Sequence, residues 1–430
     1  MAVTKKSLGE ATPVHSILGT NSVMVEIGGS IRRITVDEFQ QAINENNGEL
    51  LQSIAWGVPI KQSVQTSPAW GRVGNLTMWE QYKAQAGRYL LRTDGAKAAK
   101  LSATDSTKYA DGTAVNENVG NIMFHAPRLY YHVAETGDAG VPYLWMSQYP
   151  IGGHYIEAPW LGAFMGSIVD NKLRSISGKT PANNITINAF WSAAQQNGKD
   201  YGLINYDHVR LMEMLNLSQY GNANSQENIG YGCCGDGNTW DKTNGLLTGA
   251  TASLGDSFGK IDISSVAGNS KACRVNLLGV EDFYGWYWQM IQGVFFGNSG
   301  NAAQIGSEVY VYEGNRMPTT AELATHPTGN YRQLVRATTE GWVKQMLVGE
   351  YFDLIPQMQG ADANSCWCDY NWTNTTGQLL LWGGSADVGS NCGVACSHSS
   401  AGWSHTSAII GSRLAYYGEP QIVAGAAITA

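Results

Sequence analysis

The sequence predicts an α+β protein, in which a β-rich N-terminal region precedes a longer domain that mixes helices and strands. Before residue 150, short β-like runs alternate with turn residues, as in GNIMFHAPRLYYHVAE. Between residues 185 and 220, apolar residues recur at helical spacing. Near the C-terminus, a long segment rich in Gly, Ser and Ala favours strands and loops over helices.

Composition restricts the possible functions. At 430 residues and 43% hydrophobic content, the chain can bury a large core, and its length favours two or three domains. The net charge of -8, with no basic run longer than Arg32-Arg33, argues against nucleic-acid binding. No segment approaches the ~20 apolar residues of a transmembrane helix, and the N-terminus lacks a signal-peptide pattern, so we expect no membrane insertion. Seven cysteines, an odd number, are expected to be mostly free thiols.

Residues 1–48 form a predicted hairpin-helix unit. Two β-rich runs flank Gly28-Gly29, which is a hairpin pattern. Thr35 and Glu38 have capping-box spacing before a short helix that can end at Gly48. A unit of this size buries little apolar surface alone. We therefore expect either a unit for attachment and oligomerisation or an N-terminal subdomain that docks on its own chain. The sequence leaves both alternatives open.

Residues 49–150 form a predicted β-rich intermediate region. Tyr130, Tyr131, Trp145 and Tyr149 suit a sugar-stacking surface, but their strand-like spacing favours core and cross-strand packing.

The region from residue 151 begins a different pattern. Two apolar stripes predict helices, the first on Ile187, Phe190, Trp191 and Ala194, and the second on Val209, Met212, Leu215 and Leu217. Further on, LLGVEDFYGWYWQMIQGV is dense in large apolar groups, which indicates a core segment that includes Trp286 and Trp288.

Three stretches, NANSQENIGYG, GVEDFYGWYWQMIQGV and GSRLAYYGEP, carry a family resemblance. They resemble the C-type-lectin fold in its formylglycine-generating-enzyme-like form, found in bacteriophage receptor-binding and tropism-determinant proteins, including those diversified by retroelements. The resemblance covers about residues 155 to 420 and implies a lectin-like domain over 151–420, with 421–430 as a tail. It implies that residues 224–226 support the sheet, that 280–285 lead into a core tryptophan helix containing Trp288, and that 411–414 form the closing strand.

Residues 361–412 contain no Lys, Arg, Glu or Met and a single Gln. The resemblance implies an explanation for this composition. In retroelement-diversified members, template adenines are copied with errors, so AAC codons become other codons ending in C. These encode Asn, Ser, Ala, Asp, Cys, His, Tyr and Gly among others, but not Lys, Glu, Gln, Met or Trp. The tryptophans at 367, 372, 382 and 403 are exceptions and must be constant scaffold or derive from another codon.

Short side chains interleaved with glycines predict strand-and-loop surface on a rigid sheet, the usual support of binding loops. Because alternate strand residues face opposite sides, one set can vary while the other packs. We assign Val394, Ile409 and Leu414 to packing. The predicted ligand-binding residues are Trp367, Tyr370, Ser385, Asp387, Val388, Ala395, His398, Ser400, Trp403 and His405. The alternative is a Ser/Ala-rich loop region without a binding role.

Metal and enzymatic chemistry are the rival interpretations. Cys366, Cys368, Cys392, Cys396, His398 and His405 include metal-ligand types, but Cys-x-Cys lacks the usual zinc-knuckle spacing. The calcium motifs of sugar-binding C-type lectins are missing, so we expect neither metal nor cofactor. The formylglycine-generating oxidases use a cysteine pair to bind copper and substrate thiol. The residues around Cys392 and Cys396 do not match that motif, and the chain shows no catalytic triad, P-loop or dinucleotide fingerprint, so we expect no enzyme.

The expected function is that of a virion surface protein, a fibre or receptor-binding subunit made in the host cytoplasm. It would bind a host cell-surface protein or glycan noncatalytically through its variable lectin-like face. The resemblance also implies a homotrimer, whose repeated weak sites give avidity, and contacts of the N-terminal region with other virion proteins. The alternatives are a bacterial cell-surface adhesin with the same domain and an oxidase of the formylglycine-generating type.

Overall fold

The structure is a computed structural model that describes residues 22–27, 30–35, 48–62, 70–152, 154–296, 308–324, 331–335, 337–374 and 378–428. This part of the chain mixes helices with a larger share of β-sheet, which is compatible with the predicted α+β class. None of its helices is both long enough and apolar enough to cross a membrane.

The hairpin predicted at Gly28-Gly29 is confirmed. Strands β1 (Ser22–Ile27) and β2 (Ser30–Thr35) pair antiparallel, with Ile27 opposite Ser30. The helix predicted to follow Thr35 lies outside the described residues. The next described element, helix α1 (Gly48–Ile54), begins at the glycine where that helix was expected to end.

A five-stranded antiparallel sheet follows, which we call the first sheet. Its order is β10-β8-β9-β3-β4. The strands are β3 (Trp56–Pro59), β4 (Val73–Gly74), β8 (Leu129–Ala134), β9 (Tyr143–Ser147) and β10 (His154–Ile156). Between β4 and β8 lies helix α2 (Leu76–Gln85), whose N-cap Asn75 accepts a hydrogen bond from the backbone N–H of Met78.

A seven-stranded central sheet combines strands from both sides of residue 150, in the order β14-β27-β11-β7-β5-β6-β28. Its edge pair β28 and β6 is parallel, whereas the other pairs are antiparallel. The strands are β5 (Gly87–Arg92), β6 (Lys97–Lys100), β7 (Gly120–His125), β11 (Trp160–Gly162), β14 (Tyr201–Leu203), β27 (Leu414–Tyr416) and β28 (Gln421–Ile422).

The C-terminal sheet has nine strands in the order β20-β19-β18-β24-β25-β23-β21-β22, and β26 pairs with β18 beside this path. The pairs β23–β25 and β18–β26 are parallel. The strands are β18 (Trp288–Phe296), β19 (Glu308–Tyr312), β20 (Tyr331–Val335), β21 (Gly341–Met346), β22 (Pro356–Gln359), β23 (Tyr370–Thr373), β24 (Leu379–Trp382), β25 (Ser397–Ala401) and β26 (Ile410–Gly411).

Two small sheets and several short helices complete the described chain. The small-sheet strands are β12 (Ser167–Val169) with β13 (Lys172–Arg174), and β15 (Gly259–Asp262), β16 (Cys273–Leu277) and β17 (Val280–Glu281). The short helices are α5 (Ser225–Asn228), α6 (Trp240–Thr243), α7 (Ser264–Ala267) and α8 (Thr320–Ala324). Single 3-10 turns lie at Ala252–Leu254, Gly389–Asn391 and Gly425–Ala427.

Both helices predicted from apolar stripes are confirmed. Helix α3 (Ile187–Gln195) begins after Thr186, whose side chain caps the backbone N–H of Ala189. Helix α4 (Tyr206–Tyr220) has a capping box formed by Asn205 and His208. It ends at Gly221 in the left-handed conformation, with φ 59°.

Helix α4 is buried between the first sheet and the C-terminal sheet. It contacts β3 on one side and β18 on the other. Its Val209, Met212 and Leu215 belong to one core cluster together with Trp56 and Trp382, residues of those two sheets. The hydrophobic core therefore continues across residue 150 in the chain.

A second core covers the other side of the C-terminal sheet. Met290 and Leu381 belong to it, and so do Ile187 and Phe190 of α3. The sheet is consequently buried on both faces at its centre, which explains why every residue of β18 is buried.

The tryptophan helix implied after GVEDFYG is wrong, because Trp288 begins strand β18. A strand that is buried on both faces reads as a continuous apolar run and lacks the alternation that would distinguish it from a buried helix. The burial of Trp286 and Trp288 is confirmed, with 0% and 2% of their surfaces exposed.

The three motifs that carried the family resemblance lie close together, since the Tyr284 hydroxyl of the second motif donates to the carbonyl oxygens of Ser225 and Gly230 in the first. Arg413 of the GSRL stretch is buried and donates hydrogen bonds to the carbonyl oxygens of Glu281 and Asp282, each within 3.2 Å. The carboxylates of these two acids in turn pair with buried Arg274, at N···O distances of 2.9 and 2.5 Å. Burying such a charged network has a cost in desolvation free energy, but the network fixes the arrangement of the segments that it joins.

Candidate ligand-binding face

Strands β23 and β25 alternate strictly between one buried and one half-buried side. On β23, Tyr370 and Trp372 are half-buried, while Asn371 and Thr373 are buried. On β25, the pattern repeats with His398 and Ser400 on the outer side. Since β23 and β25 pair with Trp372 opposite His398, their outer residues share one face of the sheet.

Three aromatic side chains cross this face from β21 to β23, and we call them the aromatic row: Trp342, Tyr370 and Trp372. Trp342 lies opposite Tyr370 in the strand register, with ring centroids 5.6 Å apart and ring planes at 81°. The rings of Tyr370 and Trp372 are 4.4 Å apart. Cross-strand aromatic pairs stabilise a sheet while leaving a broad apolar surface on its outer side.

A fourth aromatic residue supports the row from inside the fold. Buried Trp288 meets Trp372 edge-on, with centroids 5.4 Å apart and planes at 90°. The same indole lies 5.3 Å from the His398 ring. The orientations of Trp372 and His398 are thus fixed by a residue of the second core.

His398 joins the row to a polar margin. Burial, and secondarily the proximity of His405, lowers the pKa of His398 to about 4, so its imidazole is neutral at physiological pH. Its Nε2 lies 3.5 Å from Ser400 Oγ. Asn374 donates to the Ser400 carbonyl oxygen at 3.3 Å, and His405 is exposed on the loop after β25.

The buried side of the same strands is held by a carboxyl group. Asp369 is fully buried and accepts a hydrogen bond from the backbone N–H of Ala395 at 2.8 Å. A Cβ atom at Gly393 would lie 1.7 Å from Asp369 Oδ1, so only glycine fits this position. Likewise, a Cβ at Gly384 would lie 2.6 Å from Cys392 Sγ. Small residues are therefore required here by close packing.

The loop that leads into β25 is clamped by the NANSQENIGYG stretch. Gln226 of α5 donates to the carbonyl oxygens of Ser390 and Cys392, the first at 2.6 Å. Ser225 Oγ accepts from the backbone N–H of Val394 at 3.0 Å. These contacts connect the loop to the polypeptide that directly follows α4.

Two buried carboxyl groups, Glu213 and Asp369, lie beneath the face. Burial, followed by the negative charge of Asp369, raises the pKa of Glu213 well above its usual value. Burial also raises the pKa of Asp369, against the hydrogen bonds from Ala395 and Cys368. Because the unfolded chain ionises first as pH rises, this pair stabilises the fold fully at low pH and progressively less as pH approaches the raised folded-state values.

Of the predicted ligand-binding residues, Tyr370, His398 and Ser400 lie together on the outer side of the sheet, and His405 follows on the adjoining loop. Asp387 and Val388 are half-buried and lie on the loop between β24 and β25. Val388 packs partly against the second core. Asp387 accepts a hydrogen bond from the Ser385 hydroxyl.

Four predicted positions need correction because their side chains are buried. Trp367, Ser385 and Ala395 are fully enclosed, and Trp403 is only 7% exposed. Trp403 packs between the sheet and α3, where its Nε1 donates to Asn188 Oδ1 at 3.3 Å. These residues support the face from within and cannot contact a ligand at its surface.

Two members of the aromatic row, Trp342 and Trp372, were missing from the predicted set. Trp342 lies before residues 361–412, so the unusual composition of that segment gave no indication that Trp342 belongs to the face. Trp372 is two residues from Tyr370 and therefore on the same side of β23, a signal that strand alternation could have supplied. Among the packing assignments, Val394 and Leu414 are buried as predicted, and Ile409 is half-buried.

The cysteines form no metal cluster in the described part of the chain, where no three His, Cys, Asp or Glu side chains are suitably grouped. All seven are free and buried. Burial raises the pKa values of the Cys392 and Cys396 thiols well above the usual range, which keeps them protonated.

A scan of the chain against protein-family models and a search of curated proteins found no match.

Proposed function

We propose that the protein is a virion surface protein, a fibre or receptor-binding subunit, that binds a host-surface ligand noncatalytically. The binding surface is the outer side of strands β21, β23 and β25. The observation that carries this proposal is the aromatic row: three half-buried rings on one side of a sheet whose central strand is buried on both faces.

The chemistry of the row suits recognition. Aromatic side chains contribute large contact areas with few rotatable bonds, and they dominate the energetics of many interfaces. Here Trp288 and the cross-strand pairing hold the rings in place before a ligand arrives. Such preorganisation lowers the entropy cost of binding.

The surroundings of the row suit variation. Ser400, Asn374 and His405 are short or exposed polar residues at its margin. Exposed positions away from caps and packing usually tolerate substitution within about 0.5 kcal/mol. A constant aromatic centre with an exchangeable polar margin is the arrangement expected of a diversified binding face, and the ligand is a host cell-surface protein or glycan.

Noncatalytic binding is supported by the protonation states near the face. Cys392 and Cys396 are buried thiols with raised pKa values, whereas a reactive cysteine requires an accessible thiolate. His398, with its pKa near 4, is a weak base at neutral pH. In the assembled virion the N-terminal region contacts other virion proteins, and a homotrimer would multiply weak sites into avidity.

Binding of labelled protein to host cells tests the proposal. Ser400→Lys combined with His405→Glu adds bulk and charge at the margin, without truncating any core residue. We expect this variant to lose cell binding and to keep the wild-type melting temperature. Ser265→Lys, at an exposed residue on α7, is the matched control and should bind normally. A folded margin variant that binds like wild type would contradict the proposal.

A nucleotide-level observation tests the diversification separately. We expect an imperfect copy of the region encoding residues 361–412, beside a reverse-transcriptase gene and differing mainly at adenines. The differences should fall on codons for half-buried and exposed residues and should spare Gly393, Ser385 and Ala395. Differences concentrated at those buried positions would be incompatible with the close packing around Asp369 and Cys392.

A further inference from the structure

We infer that the protein has a second binding site, for a neutral saccharide, in a cavity of about 820 Å³ beside the start of α4. The walls come from β8 and β10 of the first sheet, from β11 and β27 of the central sheet, and from residues 313–315. None of its lining residues belongs to the aromatic row or to residues 361–412. The inference is therefore independent of the proposed host-binding face.

The cavity has aromatic walls. The rings of His125 and Trp160 stack with centroids 4.0 Å apart, and His154 lies 4.1 Å from Tyr351. Tyr155, which is 50% exposed, stands at the mouth with the Arg128 guanidinium 4.8 Å from its ring. Flat apolar surfaces of this kind match the C–H faces of sugar rings.

The inner wall offers hydrogen-bond donors. Arg210, only 4% exposed, donates to Tyr131 Oη at 2.6 Å and to the Asp207 carboxylate, but its Nε–H has no hydrogen-bond partner in the described structure. Burial lowers the pKa of His208 to about 4, so the ring is neutral. Its Nδ1 lies 2.6 Å from Asn205 Oδ1, and its Nε2 has no hydrogen-bond partner in the described structure. An unpartnered buried N–H beside an unpartnered ring nitrogen favours a ligand whose groups can both donate and accept hydrogen bonds.

The mouth offers acceptors. Glu157, Glu313 and Glu419 are exposed there. Glu157 pairs with Arg128 at 2.7 Å, whereas Glu313 and Glu419 form no ion pair within the described residues. The mouth therefore repels anions, while a cation would leave the buried Arg210 Nε–H without an acceptor. A neutral saccharide suits both the inner wall and the mouth. Its hydroxyl groups can accept from Arg210, pair with His208 Nε2 in either tautomer, and donate to the carboxylates.

An array of immobilised neutral oligosaccharides, with sialylated and amino-sugar counterparts of the same cores, tests the inference on the intact protein. We expect binding to neutral members and weaker binding to both charged counterparts. Tyr155→Ala should weaken binding about tenfold, as loss of a central aromatic contact does. Glu313→Gln combined with Glu419→Gln retains acceptor oxygens and should change it less than about threefold. Tyr231→Ala, a half-buried tyrosine outside the cavity, is the matched control and should leave it unchanged.

Three results would overturn the inference. The first is that the protein binds no neutral oligosaccharide, and the second is that the folded Tyr155→Ala protein binds as well as wild type. The third is that the protein binds amino sugars selectively and that the Glu313→Gln and Glu419→Gln substitutions abolish this binding. The last result would show that the mouth attracts cations. Host-cell binding through the aromatic row would stand in all three cases, so the two sites can fail separately.

Discussion

Replacing Trp288 with Ala should weaken both the fold and the binding face, because this one indole connects the second core to the aromatic row. The side chain is 2% exposed and makes ring contacts with Trp372 and His398 at 5.4 and 5.3 Å. Its truncation would leave a cavity directly beneath the outer face. Neighbouring rings can fill such a cavity only by leaving the positions that orient them for a ligand.

The expected magnitude follows from the burial. Removing a fully buried Trp side chain costs about 3–5 kcal/mol. An unfolding entropy of about 2.1 cal/mol/K per residue gives about 0.9 kcal/mol/K for the 430-residue chain, if the chain unfolds as one unit. The melting temperature should therefore fall by roughly 3–6 °C.

Differential scanning calorimetry and a cell-binding assay on the same preparations measure both effects. Trp372→Ala is the informative comparison, because Trp372 is half-buried and should lose binding with a smaller decrease in melting temperature. Trp288→Phe, which keeps an aromatic ring, should fall between wild type and Trp288→Ala. An unchanged melting temperature for Trp288→Ala would refute its placement in the core, and full binding by that variant would refute its role under the row.

Three further predictions concern the supports of the face. Glu213→Gln should flatten the loss of stability as pH rises above the ordinary pKa of a glutamate, because a neutral side chain removes the ionisation that favours the unfolded state. Urea unfolding at a series of pH values checks this. A decline as steep as in wild type would contradict the raised pKa of Glu213. Gln226→Ala should lower the free energy of unfolding by about 1–3 kcal/mol. It should also speed amide hydrogen exchange in the loop before β25, while the amides of α4 stay protected. Equal exchange rates in this loop in the variant and the wild type would rule out the clamp. Chelators should leave melting and cell binding unchanged, whereas stoichiometric zinc or copper in the purified protein would reverse the expectation of no metal.

The helices and the N-terminal hairpin could be predicted from the sequence because their patterns are local. The stripe from Ile187 to Ala194 has one apolar face, and the Gly-Gly pair at 28–29 is a sequence signal for a hairpin between the strands that pair on either side of it. Strand β18 could not be predicted in this way, since burial on both sides removes the alternation. Its burial comes from α4, which packs against it, and from the second core, which includes residues of α3; both helices are distant in the sequence.

The face was predicted in part, and the errors at Ser385 and Ala395 have one physical cause. Small residues occur both where a surface tolerates exchange and where segments pack closely. Ser385 and Ala395 were predicted to be exposed, but they lie in closely packed segments. Ser385 follows Gly384, which packs against Cys392, and Ala395 lies two residues after Gly393, which packs against Asp369. The contact between residues 369 and 393 depends on tertiary structure, which composition cannot reveal. Tyr370 and His398 could be predicted because strand alternation is itself a sequence pattern.

Binding of the Tyr370→Ala and Trp372→Ala double variant to host cells tests the central claim most directly. Both side chains are half-buried on the outer side of β23, and Tyr231→Ala supplies a half-buried aromatic control elsewhere. If the row is the recognition surface, the double variant should remain folded and bind about 100-fold more weakly, as loss of two interface aromatics predicts. A folded double variant that binds host cells with wild-type affinity would contradict the account.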